Sequence, residues 1–583
     1  MGSNSSSRGG RRLLWLGIVI VAVLILGWCA VSIVQAYRAA QNLRSSVDVA
    51  ATHARALQSV ELANDIPAVS ANAEQFSNSV SGPLWSVMAR LPFLGSTAGS
   101  ARDLAASALA MAAAAEQLEP ALASIDADTI KRPNGSIDLV ALNEISQALE
   151  GAQPQLQQAA DLAAAADPGA MGPVGEAVAT AQEGLAGLPA AAAGAVDALE
   201  ISTILLGGEG PQDWVVLLQN GSEARATGGF LGAYALFTAD DGKLKVGTVD
   251  TNNSLTTRIP NRDMPREFLD LWTTEYTSEW NSYNLSRHFP YTGQLTYNGM
   301  KFRGTPIDNV LAIDAHVVAA LLAGTGPVTA AGETIDLTNA ERFFNADVYA
   351  RYPDTAQKDK VVVELMTELL GRVTSGNFDL LAAARAVTPA AGQGRLLIWS
   401  DDKEVESRLA TYQVGGVIPR DPQPWVATAL NNSAANKLDA FIASSVDYQA
   451  ATCGTGPSMV TVTMTNNAPD PATSPDSETF ADSVYPKSAK GDTRMWTAIY
   501  GPVGAEIRSA RINGKREFIS EGFERGHPVW RWNVEIPRGE SSVLTVTFDE
   551  PASSSVPQVP PQAMAVPQEV TASGGCPPGA SQE

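Results

Sequence analysis

A run of 22 residues without a charge, Leu13–Val34, constrains this chain more than any other feature of its sequence. At a rise of about 1.5 Å per residue, a helix of this length spans about 33 Å, close to the roughly 30 Å hydrocarbon core of a bilayer. Arg11 and Arg12 directly precede the run, which favours a cytoplasmic N-terminus. We predict a cytoplasmic arm at 1–12, a single transmembrane helix at 13–35 and an extracytoplasmic remainder. A cleaved signal peptide is the alternative, although its apolar region usually has only about 7–15 residues.

The segment 36–200 is rich in alanine, leucine, glutamine and glutamate, which are strong helix formers, and it has hardly any aromatic residues. Breaks such as Gly82-Pro83 and Pro168–Pro173 divide it into about four predicted helices. We predict a helical stalk or bundle. A low-complexity linker is the alternative, but a linker does not need the apolar cluster of Leu84, Trp85, Leu91 and Phe93.

Charge and cysteine content exclude several function classes. The net charge of −22 repels nucleic acid phosphates, so nucleic acid is not expected as a partner. The three cysteines and four histidines form neither a C-x-x-C pair nor an H-E-x-x-H run, so zinc and Cys/His catalysis have little support. Any metal is expected to have oxygen ligands.

From 201 to 448, short apolar runs alternate with helical stretches, which predicts an α/β domain. Strands are predicted at Val310–Ile313 and Arg395–Trp399, and helices at Ala315–Ala323 and Val361–Val373.

The stretch Trp214–Phe237, WVVLLQNGSEARATGGFLGAYALF, contains two strand-like runs joined by a polar loop. In such a loop, Gly228 and Gly229 allow close approach of a ligand to the backbone, and Arg225 offers a forked set of donors. We predict an anionic or sugar ligand there, with Thr227 also in contact. The alternative is a tight hairpin with Gly228 at positive φ and Arg225 in solvent.

Polar residues also cluster in later loops of this domain. They include Arg262, Asp263, Asn284, Arg351 and Asp354. Each loop alone is typical of a solvated surface. Together their arginines and asparagines predict contacts to a phosphate or pyrophosphate, and their aspartates predict a divalent cation site.

The region 449–550 has alternating strands in which Val460, Val462 and Met464 share one face, as do Leu544, Val546 and Phe548. We predict a β-sandwich followed by an irregular Pro-rich tail at 551–583. Cys453 and Cys576 bracket this region and are the two cysteines outside the predicted membrane helix, so we predict a disulfide between them. The predicted fold class is therefore α+β multidomain: transmembrane helix, Ala-rich helical bundle, central α/β domain and C-terminal β-sandwich.

The motif QN-x-x-E-x-R-x-TGGF, beginning at Gln219, resembles that of an uncharacterised family of membrane-anchored bacterial proteins. The resemblance also includes GPLW and RLPFLG in the stalk, LLAGTGPV near residue 325 and NKLD at Asn436–Asp439. This family is a domain of unknown function that occurs among proteins of exopolysaccharide and cell-envelope assembly. Other envelope proteins are therefore expected partners.

The order of the polar loops is also similar to that of the LytR–CpsA–Psr family, whose members transfer glycans from a polyprenyl-pyrophosphate carrier to the cell wall. That resemblance implies Arg225, Arg262 and Arg351 on phosphate, Asn284 at the ligand, Asp263 as base or metal ligand and Asp354 as a second metal ligand, with Mg²⁺ as cofactor. Asn261 intrudes into the Pro-Arg-Asp loop of that family. The second hypothesis is a non-catalytic scaffold or glycan-binding component of an assembly or export complex.

Overall fold

The computed structural model describes residues 7–56, 58–92, 94–124, 130, 132, 135–261, 263–375, 378–452, 456–473 and 489–576; side chains are described from residue 28 onward, Thr473 apart. The chain forms two compact units. One comprises Met1–Arg132 and Asp138–Thr203, and the other comprises Pro133–Ile137 and Ile204–Glu583. Helices and several sheets confirm the α+β class.

The first unit is helical. Its helices are α1 Ser7–Arg55, α2 Ser59–Val80, α3 Pro83–Met88, α4 Gly95–Ser124, α5 Leu139–Ala165, α6 Pro173–Leu185 and α7 Leu188–Leu205, the last of which ends in the second unit. Alanines fill most of the buried positions, so that α1, α2 and α4 pack closely around Phe76, Leu84 and Trp85. This agrees with a packed bundle rather than a linker. Leu91 is exposed, and Phe93 lies outside the described residues.

Helix α1 includes the whole predicted membrane segment Leu13–Val34. Among the described residues, Pro173–Leu205 is a helical stretch long and apolar enough to cross a membrane by length and composition. This stretch is not at the N-terminus, and such a helix is by itself weak support for a membrane anchor. Insertion of Leu13–Val34 stays a prediction.

The second unit contains all the strands that the structure describes. In chain order they are β1 Gln212–Arg225, β2 Gly228–Asp240, β3 Lys243–Thr251, β4 Asn309–Asp314, β5 Val328–Ala330, β6 Glu333–Ile335, β7 Leu396–Ser400, β8 Ala427–Asn432, β9 Ile442–Ala450, β10 Ser458–Asn466, β11 Thr493–Tyr500, β12 Glu506–Ile512, β13 Lys515–Arg516, β14 Ser520–Glu524, β15 His527–Ile536, β16 Ser541–Asp549 and β17 Glu569–Gly574.

Most helices of the second unit lie between these strands in chain order. They are α8 Arg266–Trp272, α9 Phe289–Phe302, α10 Ala315–Thr325, α11 Ala340–Arg342, α12 Val348–Arg351, α13 Thr355–Thr374, α14 Leu380–Gly392 and α15 Lys403–Leu409. A π-helical turn, Phe343–Asp347, joins α11 to α12. Short 3-10 turns occupy Asn252–Leu255, Tyr276–Ser278, Trp280–Ser282, Gln413–Gly415, Leu438–Phe441 and Pro471–Thr473.

The first sheet has the order β3-β2-β1-β4-β7, with β1 parallel to β4 and the other neighbours antiparallel. Side chains alternate across it. Val215 and Leu217 of β1 point into a core with Trp272, Tyr283 and Phe289, whereas the intervening Val216 faces the core formed by α10 and α13. The sheet is thus covered on both faces, which explains the continuous apolar run in β1.

The remaining large sheets form the predicted sandwich, with orders β13-β12-β16-β10-β9-β17 and β14-β15-β11-β8. The two predicted faces are confirmed: Val460 pairs with Val546 and Val462 with Leu544, and all four are fully buried. The expected limits differ from the structure, because β8 and most of β9 precede residue 449. The tail is also not irregular throughout, since β17 pairs with β9 in parallel.

Candidate functional site

The β1–β2 hairpin has Gly228 at a φ of 149°, as the tight-hairpin alternative requires, and its turn is not open to a ligand. A Cβ at Gly229 would lie 2.1 Å from the carbonyl oxygen of Asn220, so the glycine is required by contact between the two strands. The tail covers the turn, because the side chain of Gln562 donates to the carbonyl oxygen of Arg225 at 2.9 Å.

Arg225 is buried rather than in solvent. Its Nη2 donates to Oε1 of Glu223 at 2.7 Å, and its Nη1 donates to the carbonyl oxygens of Ala224 and Asn432 at 2.9 and 3.2 Å. Lys437 pairs with the other carboxylate oxygen of Glu223. Burial alone would raise the pKa of Glu223, but Lys437 and Arg225 together outweigh it and lower that pKa. The carboxylate therefore stays ionised between two cations.

Asp439, from the NKLD motif, lies beside Glu223 and Arg225, but its pKa shifts in the opposite direction to that of Glu223. It is fully buried and accepts hydrogen bonds from the backbone N–H of Ala224 at 2.7 Å and from Nδ2 of Asn432 at 2.9 Å. Burial raises the pKa of Asp439 to about 7. Glu223 and Arg225 of the QN…TGGF motif thus form one buried polar network with Lys437 and Asp439 of the NKLD motif, and this network joins β1 to the sandwich.

Asn284 and Thr227 belong to a second buried network, centred on Gln219. Thr227 Oγ1 and Asn284 Nδ2 both donate to Gln219 Oε1, at 2.8 and 3.0 Å, and Asn284 Nδ2 also donates to the carbonyl oxygen of Gly229 at 2.8 Å. The structure therefore brings together Arg225, Thr227, Gly228, Gly229 and Asn284 around the hairpin, through contacts within the protein. Their predicted roles in ligand binding stay predictions.

The other predicted site residues have separate surroundings. Arg351 is half exposed, and its Nη1 donates to Glu333 Oε2 at 2.6 Å. Asp354 accepts from the backbone N–H of Gln357 and so caps α13. Asp263 is exposed in a turn, and Arg262 lies outside the described residues.

The predicted Mg²⁺ ligands, Asp263 and Asp354, are not part of a metal-binding group in the described part of the chain. No cluster of three or more His, Cys, Asp or Glu side chains suitable for a metal ion occurs there. The surroundings of these two aspartates, an exposed turn and a helix cap, do not fit a shared cation.

A cleft of about 230 Å³ lies between the first sheet and the helices α10, α12 and α13. Part of its wall comes from the motif stretch, because Gln219, Asn220, Phe230 and Gly232 all line it. Its other apolar lining residues include Leu218, Ile313, Val318, Phe344, Val362 and Met366. The cleft is thus largely apolar, as ligand sites in proteins commonly are.

Polar and charged groups form the rest of the lining, and several of them are held in place by neighbouring side chains. Asn253 Nδ2 donates to Asp359 Oδ2 at 2.6 Å, and Asn220 Nδ2 donates to the hydroxyl of Tyr349. Lys437 Nζ lies over the Phe230 ring, 4.4 Å from its centroid. These contacts fix the polar side chains, so the cleft is organised before any ligand binds.

The sequence did not single out several of these residues. Tyr349 and Asn345 come from α12 and the π-helical turn, and their importance depends on where these short elements pack against β1 and β2. The one available signal is the polar loop that contains Arg351 and Asp354, which the sequence pattern assigns to a phosphate and a cation.

A comparison with known protein families matches one segment of the chain. Residues 209–349 match a family model described as "Protein of unknown function (DUF4012)". That family has no assigned activity. The matched segment contains the whole hairpin and every lining residue of the cleft up to Tyr349. This fits the uncharacterised family expected from the sequence. No curated protein and no solved structure matches the chain.

Proposed function

We propose that this protein is a membrane-anchored, extracytoplasmic component of cell-envelope or exopolysaccharide assembly that binds a polyprenyl-linked glycan or a cell-wall polymer. The proposed anchor is Leu13–Val34, with the N-terminus in the cytoplasm and the bulk of the chain outside. The ligand site is the cleft between the first sheet and α13. The single observation that supports this site is the combination of an apolar floor with an organised polar rim.

The two parts of the cleft suit the two parts of such a ligand. Leu218, Ile313 and Met366 offer apolar surface for an isoprenoid chain or the C–H face of a sugar ring. Asn220, Asn253 and Asp359 offer amide and carboxylate groups for hydroxyls. An amphipathic glycan carrier has both kinds of surface, whereas a metal ion has not.

Binding without turnover is better supported than transfer. Arg225 is already neutralised by Glu223, and Arg351 by Glu333. Neither residue lines the cleft, and the same is true of the proposed base Asp263. We therefore favour a glycan-binding or scaffold role, with other envelope proteins as partners, over a LytR–CpsA–Psr-like transferase.

The test is binding of a polyprenyl-pyrophosphate-linked oligosaccharide to the full chain in lipid nanodiscs. Val362→Phe places a larger side chain in the cleft, and Val363→Phe is the matched control on the same helix, since Val363 does not line it. We expect Val362→Phe to weaken binding by about tenfold or more, because a filled pocket excludes the ligand. Equal binding by both variants, or no binding by the wild type, would refute the proposal.

A further inference from the structure

Asn345 lines the cleft with an unsatisfied amide. Its side chain is 7% exposed, and its Oδ1 is buried without a hydrogen-bond partner among the described residues. A buried polar atom left unpaired costs about 1–3 kcal/mol, which a protein seldom retains without a use for the group. Asn345 therefore contributes to the cleft wall a side chain whose acceptor has no partner among the described residues.

The backbone at Asn345 is also unusual. Asn345 is the third residue of the π-helical turn Phe343–Asp347, and the preceding Phe344 lines the same cleft. A π turn inserts an extra residue into a helix and changes the direction of its side chains, and such turns occur frequently at functional sites. The turn is thus a second, independent sign that Asn345 is placed for a ligand.

The charges that line the cleft disfavour a free anion. Lys437 is paired with Glu223, and Lys358 Nζ lies 3.8 Å from Asp359 Oδ1. The remaining carboxylate, Asp314, is paired with Arg395 at 2.5 Å and caps α10. A phosphate in the cleft would have to compete with these acidic partners, whereas a neutral polar group would not.

We propose that Asn345 recognises an uncharged sugar ring through paired donor and acceptor contacts, and that any phosphate of the carrier lies outside the cleft. This deepens the proposed function and rests on it. An amide offers an acceptor and a donor side by side, which an acetamido group or two adjacent ring hydroxyls can match. Phe230, Phe344 and Val348 supply the apolar surface for the ring face.

The experiment measures binding of an N-acetylglucosamine disaccharide, a glucose disaccharide and inorganic pyrophosphate to the full chain in nanodiscs. We expect at least one disaccharide to bind and pyrophosphate not to displace it. A difference between the two sugars identifies acetamido or hydroxyl recognition. Asn345→Leu should weaken sugar binding by about tenfold, the effect of one lost buried hydrogen bond. Asn345→Leu should also raise the melting temperature of the protein, because it removes the unpaired Oδ1 atom from a buried position.

Asn309→Leu is the matched control, since Asn309 Oδ1 is likewise buried and unpaired but lies outside the cleft. Asn309→Leu should leave sugar binding within about twofold of the wild type.

Asn345→Asp keeps the side-chain shape and loses the donor, so it gives the same test if Asn345→Leu does not fold. Unchanged sugar binding in the folded Asn345 variants, or displacement of the sugar by pyrophosphate, would overturn the inference. If Val362→Phe still abolishes binding of the lipid-linked glycan in that case, the proposed function survives; if Val362→Phe has no effect, both fail.

Discussion

Arg225 and Glu223 form an ion pair inside the protein, with 2.7 Å between Nη2 and Oε1 and about 8% of each side chain exposed. Arg225 also donates hydrogen bonds to the backbone carbonyl oxygens of Ala224 and of Asn432, and Asn432 lies in β8 of the sandwich. The guanidinium of Arg225, the arginine of the QN-x-x-E-x-R-x-TGGF motif, therefore connects β1 to β8 of the sandwich.

Arg225→Ala should destabilise the protein rather than act selectively on ligand binding. Removing one partner of a buried ion pair costs about 3–5 kcal/mol, because the other charge is left incompletely compensated. Arg258→Ala is the control, since Arg258 is 60% exposed in its pair with Glu279 and should change stability by less than about 1 kcal/mol. Urea unfolding followed by tryptophan fluorescence measures both. Equal midpoints for the two variants would contradict this assignment.

Gly229→Ala should also be destabilising, by about 1–3 kcal/mol, because the new methyl group would overlap the carbonyl oxygen of Asn220. Gly371→Ala serves as control. Gly371 lies in α13 with no atom within 4 Å of the added Cβ, so alanine should stabilise that helix by about 0.5–1 kcal/mol. Thermal melting of the two variants gives the comparison. A neutral Gly229→Ala would mean that the two strands are not in this close contact.

The buried carboxyl group of Glu524 should make the stability of the fold depend on pH. It is fully buried and accepts hydrogen bonds from Ser286, Trp272 and Tyr500, at 2.5, 2.9 and 3.4 Å. Burial raises its pKa from 4.5 to about 7. Between these values the folded state binds more protons than the unfolded state, so this group's contribution to stability falls as the pH rises from about 4.5 to about 7.

Glu524→Gln should therefore reduce the loss of stability between pH 5 and pH 8, by up to about 3 kcal/mol. Glu521→Gln changes an exposed carboxylate on the same strand and should leave the pH profile unchanged. Unfolding midpoints at pH 5, 6, 7 and 8 distinguish the two variants. A wild-type profile in Glu524→Gln would show that the carboxylate is already ionised at pH 5.

The parts of the fold that follow from local pattern were predictable. Alternation placed Val460 and Val546 on the inner faces of the sandwich, and alanine content identified the helical unit. The candidate site was harder to predict, because its geometry depends on contacts between distant segments. The sequence predicts a ligand contact for Arg225, since nothing nearby in the chain indicates that Gln562 and Asn432 cover it. Asn345 escaped notice because a π turn has no clear sequence signature.

The disulfide between Cys453 and Cys576 stays a prediction, because Cys453 lies outside the described residues. It has one structural support: Gly574 of β17 pairs with Ala450 of β9, and the two cysteines follow this pair closely in the chain. Alkylation of the denatured protein without reductant should label Cys29, which is free, and spare the other two cysteines. Mass analysis after reduction should then show three labels, one for each cysteine. Three labels without reductant would contradict the prediction.

Hydrogen exchange of the full chain in nanodiscs, with and without the polyprenyl-linked oligosaccharide, tests most directly whether the cleft is the ligand site. We predict slower exchange in the peptides that contain Phe343–Asp347 and α13, because these elements line the cleft and Arg225–Thr227 does not. Exchange around Arg225–Thr227 should be unchanged. Protection confined to Arg225–Thr227, with Phe343–Asp347 unaffected, would show that the ligand binds at the hairpin turn and not in the cleft.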